Sequence, residues 1–250
     1  MTSKEIKEYW NNRTPYTWGN YQDMRKLRYG LQDYMLDTFR FHDWKGKRIL
    51  EIGCGSGIDS IEFAKSGAKV YATDMSDKAV NHTKNLFKEL KLNGKISKAD
   101  ATNLPFENAF FDLVYVYGVL HHIPHVERAI DEIHRVLKPT RRCFAMLYHR
   151  DSLLYYYSII YLGGVVYKGF DKGLTEKELL AKYSEAKLGN PYSRVYTRDE
   201  AIRVFYNSGF SNITVDIEYP VIDTTTERKV KIPNLPKSLG WHLIVKARKG

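Results

Sequence analysis

The stretch ILEIGCGSG, residues 49–57, decides the fold of this chain. It is an apolar run interrupted only by Glu51, and it ends in glycines at alternate positions: Gly53, Gly55 and Gly57. A short apolar run of this kind is typical of a buried parallel strand. Glycine permits positive φ angles and lets the backbone approach a ligand closely. Residues 58–66 predict a helix, whose N-terminal N–H groups would point at the same ligand.

The glycine spacing separates this turn from the dinucleotide fingerprint G-x-G-x-x-G, because position 58 is Ile58. The next predicted strand, Lys69–Thr73, is followed directly by Asp74. A carboxylate at the tip of the second strand can accept hydrogen bonds from both ribose hydroxyls of a bound nucleoside. The two segments together therefore predict a nucleoside-binding crevice at the ends of neighbouring strands.

Further blocks make the pattern more specific. The pattern E/D-x-G-x-G-x-G resembles the first motif of class I methyltransferases that use S-adenosylmethionine (SAM). KADATNLPF (98–106), FDLVYVYGVLHHIP (111–124) and EIHRVLKP (132–139) resemble the later blocks of members that act on small molecules. The resemblance implies SAM as cofactor, with Asp100 accepting from the adenine amino group beside the Ala101 backbone. The implied cofactor contacts are Glu51, Gly53, Cys54, Gly55, Gly57, Asp74, Met75, Asp100, Ala101 and Tyr117.

The rest of the core alternates between strand and helix patterns, which predicts an α/β fold with a parallel sheet wound on both faces. Strands are predicted near 47–52, 69–73, 95–99, 111–117 and 142–148, and helices near 58–66, 77–91 and 125–138. TRDE (197–200) predicts a capping box and a helix to Ser208. Strand patterns at 211–219 and 241–248 follow, joined by a polar loop. The resemblance implies a doubly wound Rossmann-like sheet of seven mostly parallel strands, with the last strand antiparallel.

The flanking segments predict additions to that core. Residues 1–45 are expected to form an N-terminal helical cap, with helices near 3–11 and 21–42, and 46–250 the methyltransferase domain. Residues 151–196 form an insertion that begins DSLLYYYSIIYLGGVVYKGF, where Gly163–Gly164 should break any helix. A substrate lid, a dimer interface and a membrane-interface helix all suit its tyrosines. The lid is favoured, because the insertion follows a strand end that faces the crevice.

The catalytic residues are harder to predict, because SAM already carries a methyl group primed for displacement. A protein base is needed only if the acceptor must lose a proton, as hydroxyls do. His121 and His122 follow strand four directly, and His122 is the preferred base or orienting group, with His149 as another candidate. The predicted substrate contacts are Tyr16, Tyr21, Tyr156, Tyr192 and Arg194.

Composition limits the partners. The net charge of +10, from 39 basic and 29 acidic residues, permits nucleic acid, an acidic membrane surface or an anionic substrate. Basic residues cluster in 227–250 and in a second group: Arg135, Lys138, Arg141 and Arg142. Both clusters are interpreted as solvated faces rather than nucleic-acid sites, and the second lies at the edge opposite the crevice.

Cys54 and Cys143 are expected to be reduced and buried, which predicts a cytoplasmic protein. No second Cys or His stands at metal-ligand spacing from either, so no metal site is expected. No secretory signal or membrane-spanning stretch is predicted.

Missing motifs narrow the acceptor. Strand four ends in YVYGVLHH rather than the Asn/Asp-Pro-Pro-aromatic signature of enzymes that methylate base amines, and no Pro-Cys nucleophile is present. We therefore expect a metal-independent methyltransferase, monomeric or homodimeric, that acts on a small molecule. Oxygen is the preferred acceptor atom, with nitrogen or carbon as alternatives. An enzyme acting on RNA or protein, and a protein that binds SAM without transferring its methyl group, stay open as other functions.

Overall fold

In this computed structural model, residues 3–12, 19–184, 190–223, 229–232 and 234–250 are described, and they build one large sheet and one small one. The large sheet has eight strands among these residues. They are β1 (Arg48–Ile52), β2 (Lys69–Asp74), β3 (Gly94–Lys98), β4 (Phe111–Tyr117), β5 (Leu137–His149), β6 (Val195–Tyr196), β7 (Phe210–Glu218) and β10 (His242–Lys249). The small sheet pairs β8 (Val221–Asp223) with β9 (Lys229–Lys231).

The main path of the large sheet runs β3-β2-β1-β4-β5-β10-β7, and β6 pairs with the end of β5. Strand β10 is antiparallel to both of its neighbours, whereas β1 to β5 pair in parallel. The predicted fold class, with the last strand inserted antiparallel, is therefore confirmed. The strand order reverses between β1 and β4, and in such sheets the crevice at the carboxyl ends of the strands is the usual ligand site.

Helices cover both faces of this sheet. They are α1 (Ser3–Asn12), α2 (Tyr21–Leu31), α3 (Tyr34–Phe39), α4 (Ile58–Lys65), α5 (Asp77–Glu89), α6 (Val126–Val136), α7 (Glu176–Tyr183) and α8 (Arg198–Asn207). Successive strand residues face opposite sides. Ile49 accordingly packs with residues of α2 to α5, while its neighbour Leu50 packs with residues of α6 and α8. Two apolar layers thus hold the sheet and fix the positions of its strand ends.

The N-terminal segment differs from the single helix predicted over 21–42. Helix α2 ends at Leu31, α3 follows, and Arg40 then takes a left-handed conformation with φ 44° before a 3₁₀ turn at Phe41–Trp44. The apolar period continues through these breaks, which is why the pattern looked unbroken. The predicted polar loop between the last two long strands likewise contains the β8–β9 hairpin.

The insertion also contains one correction. Leu154–Val166 forms a continuous helix with π-type geometry, so Gly163 and Gly164 do not break it. Instead they allow close packing, because a Cβ on Gly163 would lie 2.7 Å from the Tyr183 ring and one on Gly164 2.3 Å from the Phe170 ring. Among the described residues, no helix has the length and apolar character needed to cross a membrane.

Candidate functional site

The glycine turn after β1 is tight. The N–H groups of Gly53 and Cys54 both donate to the carbonyl of Thr73, at 2.7 and 3.0 Å, and all three glycines have positive φ angles. A Cβ on Gly53 would lie 2.1 Å from Cγ2 of Val119, so the turn packs directly against the segment after β4. A Cβ on Gly55 would meet no atom within 4 Å. Space for a ligand therefore opens directly over Gly55.

Two carboxylates stand beside this turn. Asp74, at the end of β2, accepts from the N–H groups of Gly55 and Ser76, each at 2.9 Å. Burial raises the pKa of Asp74, and these backbone hydrogen bonds offset only part of that rise. Asp100 follows β3 and accepts from the N–H and hydroxyl of Thr102, at 2.9 and 2.7 Å. We call the turn 53–57, with Asp74 and Asp100, the glycine-turn side.

A buried polar cluster lies under the turn. Glu51 accepts from the Ser60 hydroxyl, and burial together with the negative charge of Asp59 raises the pKa of Glu51 well above its usual range. Asp59 accepts from Arg28 Nε at 2.8 Å, and the hydroxyls of Tyr29 and Tyr115 also donate to it. The cluster ties α2 to the start of α4. It places Glu51 as a support of the turn.

The other predicted cofactor contacts lie close by. Met75 is half-buried directly after Asp74, Ala101 is buried beside Asp100, and the Cys54 thiol is buried 3.6 Å from the hydroxyl of Thr83. Helix α4 begins after Gly57 without a side-chain cap, so its first N–H groups face the crevice. An open cradle, a helix N-terminus and two carboxylates fit the amino-acid and nucleoside parts of SAM.

The last turn of helix α1 reaches the crevice. The side chain of Asn11 accepts from the N–H of Asp77 at 3.2 Å, and Lys78 Nζ donates to the Asn12 carbonyl at 2.9 Å. In the same turn, the Trp10 ring lies 5.1 Å from the ring of His122. These contacts hold the C-terminal end of α1 between the start of α5 and the segment after β4.

A second polar group lies at the ends of β4 and β10. The hydroxyl of Tyr117 hydrogen-bonds the Tyr34 hydroxyl at 2.5 Å, His242 Nδ1 at 3.1 Å, and the side chain of Gln32. Tyr34 in turn lies 2.7 Å from His242 Nδ1. Sequence analysis missed Tyr34, Gln32 and His242. No local signal could have found them, since Tyr34 and His242 are 208 positions apart.

His122 is oriented by the end of the insertion. Its Nδ1 lies 2.9 Å from the carbonyl oxygen of Tyr192 and 3.1 Å from the Ser193 hydroxyl. Because a carbonyl only accepts, Nδ1 carries the proton in the neutral ring, and Nε2 is then the basic nitrogen. His121 is fully buried, and its ring centroid lies 3.5 Å from that of Tyr148. This stacking favours a packing role for His121.

His149, at the end of β5, is buried with its Nδ1 2.8 Å from the carbonyl oxygen of Gly240. Burial lowers its pKa, and the hydrogen bond offsets only part of that effect. Its ring is therefore neutral at neutral pH. We call the group of Tyr117, His122, His149 and His242 the histidine side.

Several predicted substrate residues do not join these groups. Tyr21 is buried against the C-terminal half of α4, where its hydroxyl donates to Glu62 and Lys65 Nζ lies 3.9 Å above its ring. Because α4 begins at the glycine turn, its C-terminal half lies away from the turn, and Tyr21 lies with it. Tyr156 is 54% exposed on the outer side of the insertion helix.

Tyr192 and Arg194, at the end of the insertion, contact the two adjacent histidines through backbone atoms. Tyr16 lies outside the described residues. The carbonyl of Tyr192 faces His122, and the N–H of Arg194 donates to the carbonyl of His121 at 2.9 Å. The guanidinium of Arg194 lies 4.7 Å from the centroid of the Tyr196 ring. The side chain of Arg194 therefore turns toward the neighbouring strand.

Comparison with known proteins agrees with this geometry. A family model described as a methyltransferase domain matches residues 50–145, which contain the glycine turn, Asp74, Asp100 and both adjacent histidines. Residues 50–145 are thus similar in sequence to a methyltransferase domain.

Curated proteins that resemble this chain carry names that refer to quinones and sterols. A ubiquinone biosynthesis O-methyltransferase from Coxiella burnetii is 32% identical over 116 residues, which are 46% of this chain and 50% of the relative. A demethylmenaquinone methyltransferase from a Geobacillus strain is 27% identical over 181 residues, 70% of this chain and 76% of the relative. The chain thus spans about half the length of the first of these relatives.

Solved structures share the fold of this chain. A SAM-dependent methyltransferase from Methanosarcina mazei has a TM-score of 0.62 and 23% identity, covering 85% of this chain and 96% of that one. A possible histamine N-methyltransferase from Thermotoga maritima has a TM-score of 0.52 and 16% identity, covering 92% and 99% of the two chains. At these identities the similarity concerns the fold alone.

Three of the four cations in the basic cluster at 135–142 contact neighbouring groups of the chain. Arg135 donates to Glu132 and to the carbonyls of Leu104 and Phe106. Lys138 Nζ lies 2.8 Å from a carboxylate oxygen of Asp112, and Arg141 Nε lies 3.6 Å from the same atom. These cations join the loop after β3, helix α6 and the start of β4. Because these cations already pair with carboxylates and carbonyls of the chain, they are less available to bind the phosphates of a nucleic acid.

Proposed function

We propose that this protein transfers the methyl group of SAM to a small, largely apolar acceptor that carries a ring, with a hydroxyl oxygen as the preferred acceptor atom. The aromatic cluster that packs beneath the histidine side carries the proposal. The ring of Tyr148 stacks on His121 at 3.5 Å and on Trp241 at 4.3 Å, and Tyr219 stacks on His242 at 4.7 Å. An aromatic environment with a few polar groups suits a flat ring with one hydrogen-bonding substituent.

The names of relatives support the same class of acceptor. They refer to the biosynthesis of ubiquinone, to demethylmenaquinone and to sterols. Ubiquinone, demethylmenaquinone and sterols are all apolar ring compounds. The relatives differ in acceptor atom, because the first is an O-methyltransferase and the sterol enzymes are C-methyltransferases. The preference for oxygen rests on His122, since a hydroxyl must give its proton to a nearby base as it attacks the methyl group.

The glycine-turn side and the histidine side have different roles in this proposal. SAM, when bound, supplies a methyl group attached to a positively charged sulfur. The glycine turn and Asp74 hold the donor, while α1 and the insertion exclude water. His122 Nε2 takes the proton of the acceptor hydroxyl, because Tyr192 holds the ring in the tautomer protonated at Nδ1. Orientation of donor and acceptor can lower the barrier by about 7–11 kcal/mol.

Methyl transfer from isotopically labelled SAM tests this function directly. A demethylated quinol, a catechol and a sterol are offered separately, and labelled product and S-adenosylhomocysteine are measured. We expect transfer to the phenolic compounds, and His122→Gln should lower kcat while SAM affinity stays within about twofold. Tyr206→Phe, on the exposed surface of α8, is the matched control. Equal kcat in His122→Gln and the wild type would show that His122 is not the base. Methyl transfer to none of the three compounds would overturn the proposed class of acceptor.

An enzyme acting on RNA is the second candidate, motivated by the net charge of +10. Binding to nucleic acid through phosphates should weaken steeply with added salt. Retention on RNA at low salt, together with methyl transfer to RNA, would favour this candidate. SAM binding without transfer to any acceptor pool would instead favour a binding protein.

The remaining assignments stay predictions. They are a cap formed by 1–45, a methyltransferase domain over 46–250, a cytoplasmic location, independence of metal ions and a monomeric or homodimeric state.

A further inference from the structure

The outer face of the insertion helix is unusual for a protein surface. From Ser152 to Tyr167 the sequence contains no charged residue. Leu154 and Ile159 are fully buried on the inner face, whereas six aromatic or aliphatic side chains are at least 37% exposed. The exposed set is Tyr156, Tyr157, Tyr161, Val165, Val166 and Tyr167. A surface helix normally presents charged or polar residues to water, so this face is adapted to another environment.

We propose that this outer face, which we call the tyrosine face, docks on an anionic lipid bilayer. Tyrosine has an apolar ring and a polar hydroxyl, and it is enriched at the depth of lipid headgroups. A helix that carries such residues outward can lie in the plane of the interface without spanning it.

Charge supports a lipid surface as the partner. The tyrosine face runs directly into the exposed residues Lys168 and Phe170, followed by Asp171 and Lys172. Within the described ranges, neither lysine lies within ion-pair distance of a carboxylate, and the chain as a whole carries a net charge of +10. Lysines beside an apolar face attract anionic headgroups. A second copy of this chain, which also carries a net charge of +10, would be repelled.

The position of the helix connects docking to the crevice. Before the helix, the Ser152 hydroxyl donates to the carbonyl of His149 at 2.8 Å. After it, Ser193 and the carbonyl of Tyr192 contact His122. The insertion therefore begins and ends on the histidine side. Resting on the proposed function, this geometry lets an apolar acceptor pass from the bilayer to the crevice beside it.

Flotation with lipid vesicles tests the proposal, using the full chain without SAM or acceptor. Vesicles of phosphatidylcholine alone are compared with vesicles that also contain phosphatidylglycerol. We expect binding to the anionic vesicles and at least a tenfold loss of partitioning in the triple variant Tyr156→Ser/Tyr157→Ser/Tyr161→Ser. The control is Tyr206→Ser, because Tyr206 is 68% exposed on α8, outside the tyrosine face. It should bind as the wild type does.

A charge variant gives an independent check. Lys168→Gln/Lys172→Gln should weaken binding to anionic vesicles about tenfold or more, with little effect on neutral ones. Lys88→Gln/Lys91→Gln, exposed at the end of α5, removes the same charge elsewhere and should change binding much less. Circular dichroism and SAM affinity verify that each variant is folded.

Three results would overturn the proposal: no vesicle binding by the wild type, equal binding by the triple variant, or a dimer in solution that the triple variant dissociates. The last would assign the tyrosine face to a second copy of the chain. Flotation measures vesicle binding and requires no methyl transfer. Its result can therefore be interpreted even if no acceptor is methylated. Turnover of a dissolved acceptor without vesicle binding would refute docking alone.

Discussion

The glycine-turn side and the histidine side lie at the same edge of one sheet, but they are assembled differently. The glycine-turn side uses short segments of the chain, and Asp74 reaches Gly55 across 19 positions. The histidine side joins Tyr34 to His242 across 208 positions. A local site depends on a few backbone conformations, whereas an assembled site depends on the packing of distant elements. Substitutions on the two sides should therefore fail in different ways.

The largest expected effect concerns the support of the glycine-turn side. Arg28→Met would leave the buried carboxylate of Asp59 without its cation, and this should lower the free energy of unfolding by about 3–5 kcal/mol. Arg25→Met is the control, because Arg25 is 38% exposed in its ion pair with Glu62 and should cost about 1 kcal/mol or less. Urea denaturation measures both. Equal losses would mean that the buried cluster has no special importance for the turn.

Gly53→Ala should have the next largest effect. The new Cβ would lie 2.1 Å from Val119 at a positive φ angle, so we expect a loss of about 2–4 kcal/mol in unfolding free energy. Gly30→Ala provides the contrast, because Gly30 is in α2 with nothing within 4 Å of its added Cβ. It should stabilise the protein by about 0.5–1 kcal/mol. Denaturation of both variants checks this, and a harmless Gly53→Ala would argue against a tight turn.

Asp74→Ala should weaken SAM binding more than tenfold, or about 1.4 kcal/mol, because the carboxylate is lost from the crevice. Asp77→Ala, three positions on, removes an exposed acid paired with Lys98 and should leave SAM affinity nearly unchanged. Isothermal titration calorimetry measures both affinities. Unchanged affinity in Asp74→Ala would remove that residue from the cofactor site.

The smallest expected effect is a pH dependence on the histidine side. The pKa of His149 is lower in the folded protein than in the unfolded chain, so the unfolded state binds more protons as pH falls below about 6.5. The associated stability is fully present above that pH and is lost below it. His149→Asn should therefore show a shallower fall in unfolding free energy between about pH 7 and pH 5.5. A fall as steep as that of the wild type would show that other groups cause it.

The comparison also explains how much could be predicted from sequence. The turn, the carboxylate after β2 and the capping box at Thr197–Glu200 follow from local patterns, and the structure contains each of them. The antiparallel last strand, which the resemblance implied, is also present. The single helix expected over 21–42 was wrong, because breaks at Gln32 and Arg40 leave its apolar period intact. The glycine pair at 163–164 was misjudged, because its neighbours Tyr183 and Phe170 lie outside any local window.

The candidate site shows the same division. Asp74 lies beside the glycine turn, and its contacts with SAM stay predictions, as do those of the other motif residues. Tyr21 and Tyr156 were proposed for the substrate on residue type alone, and packing directs one against α4 and the other to the surface. In the insertion, four tyrosines are turned outward, Tyr156, Tyr157, Tyr161 and Tyr167, so their side chains do not line the crevice.

The sequence by itself determined the alternation of strands and helices and the glycine turn, because these depend on backbone conformations that glycine and short apolar runs specify locally. The kind of donor came from the resemblance that the turn and its neighbouring motifs carry. Only the tertiary structure decided that His242 meets Tyr34 and Tyr117, that His122 presents Nε2, and that the insertion helix turns its tyrosines to solvent. The physical reason is that each of these features is a contact, or the absence of one, between elements far apart in the chain. Such contacts follow from how helices and strands pack, and residue spacing does not encode them.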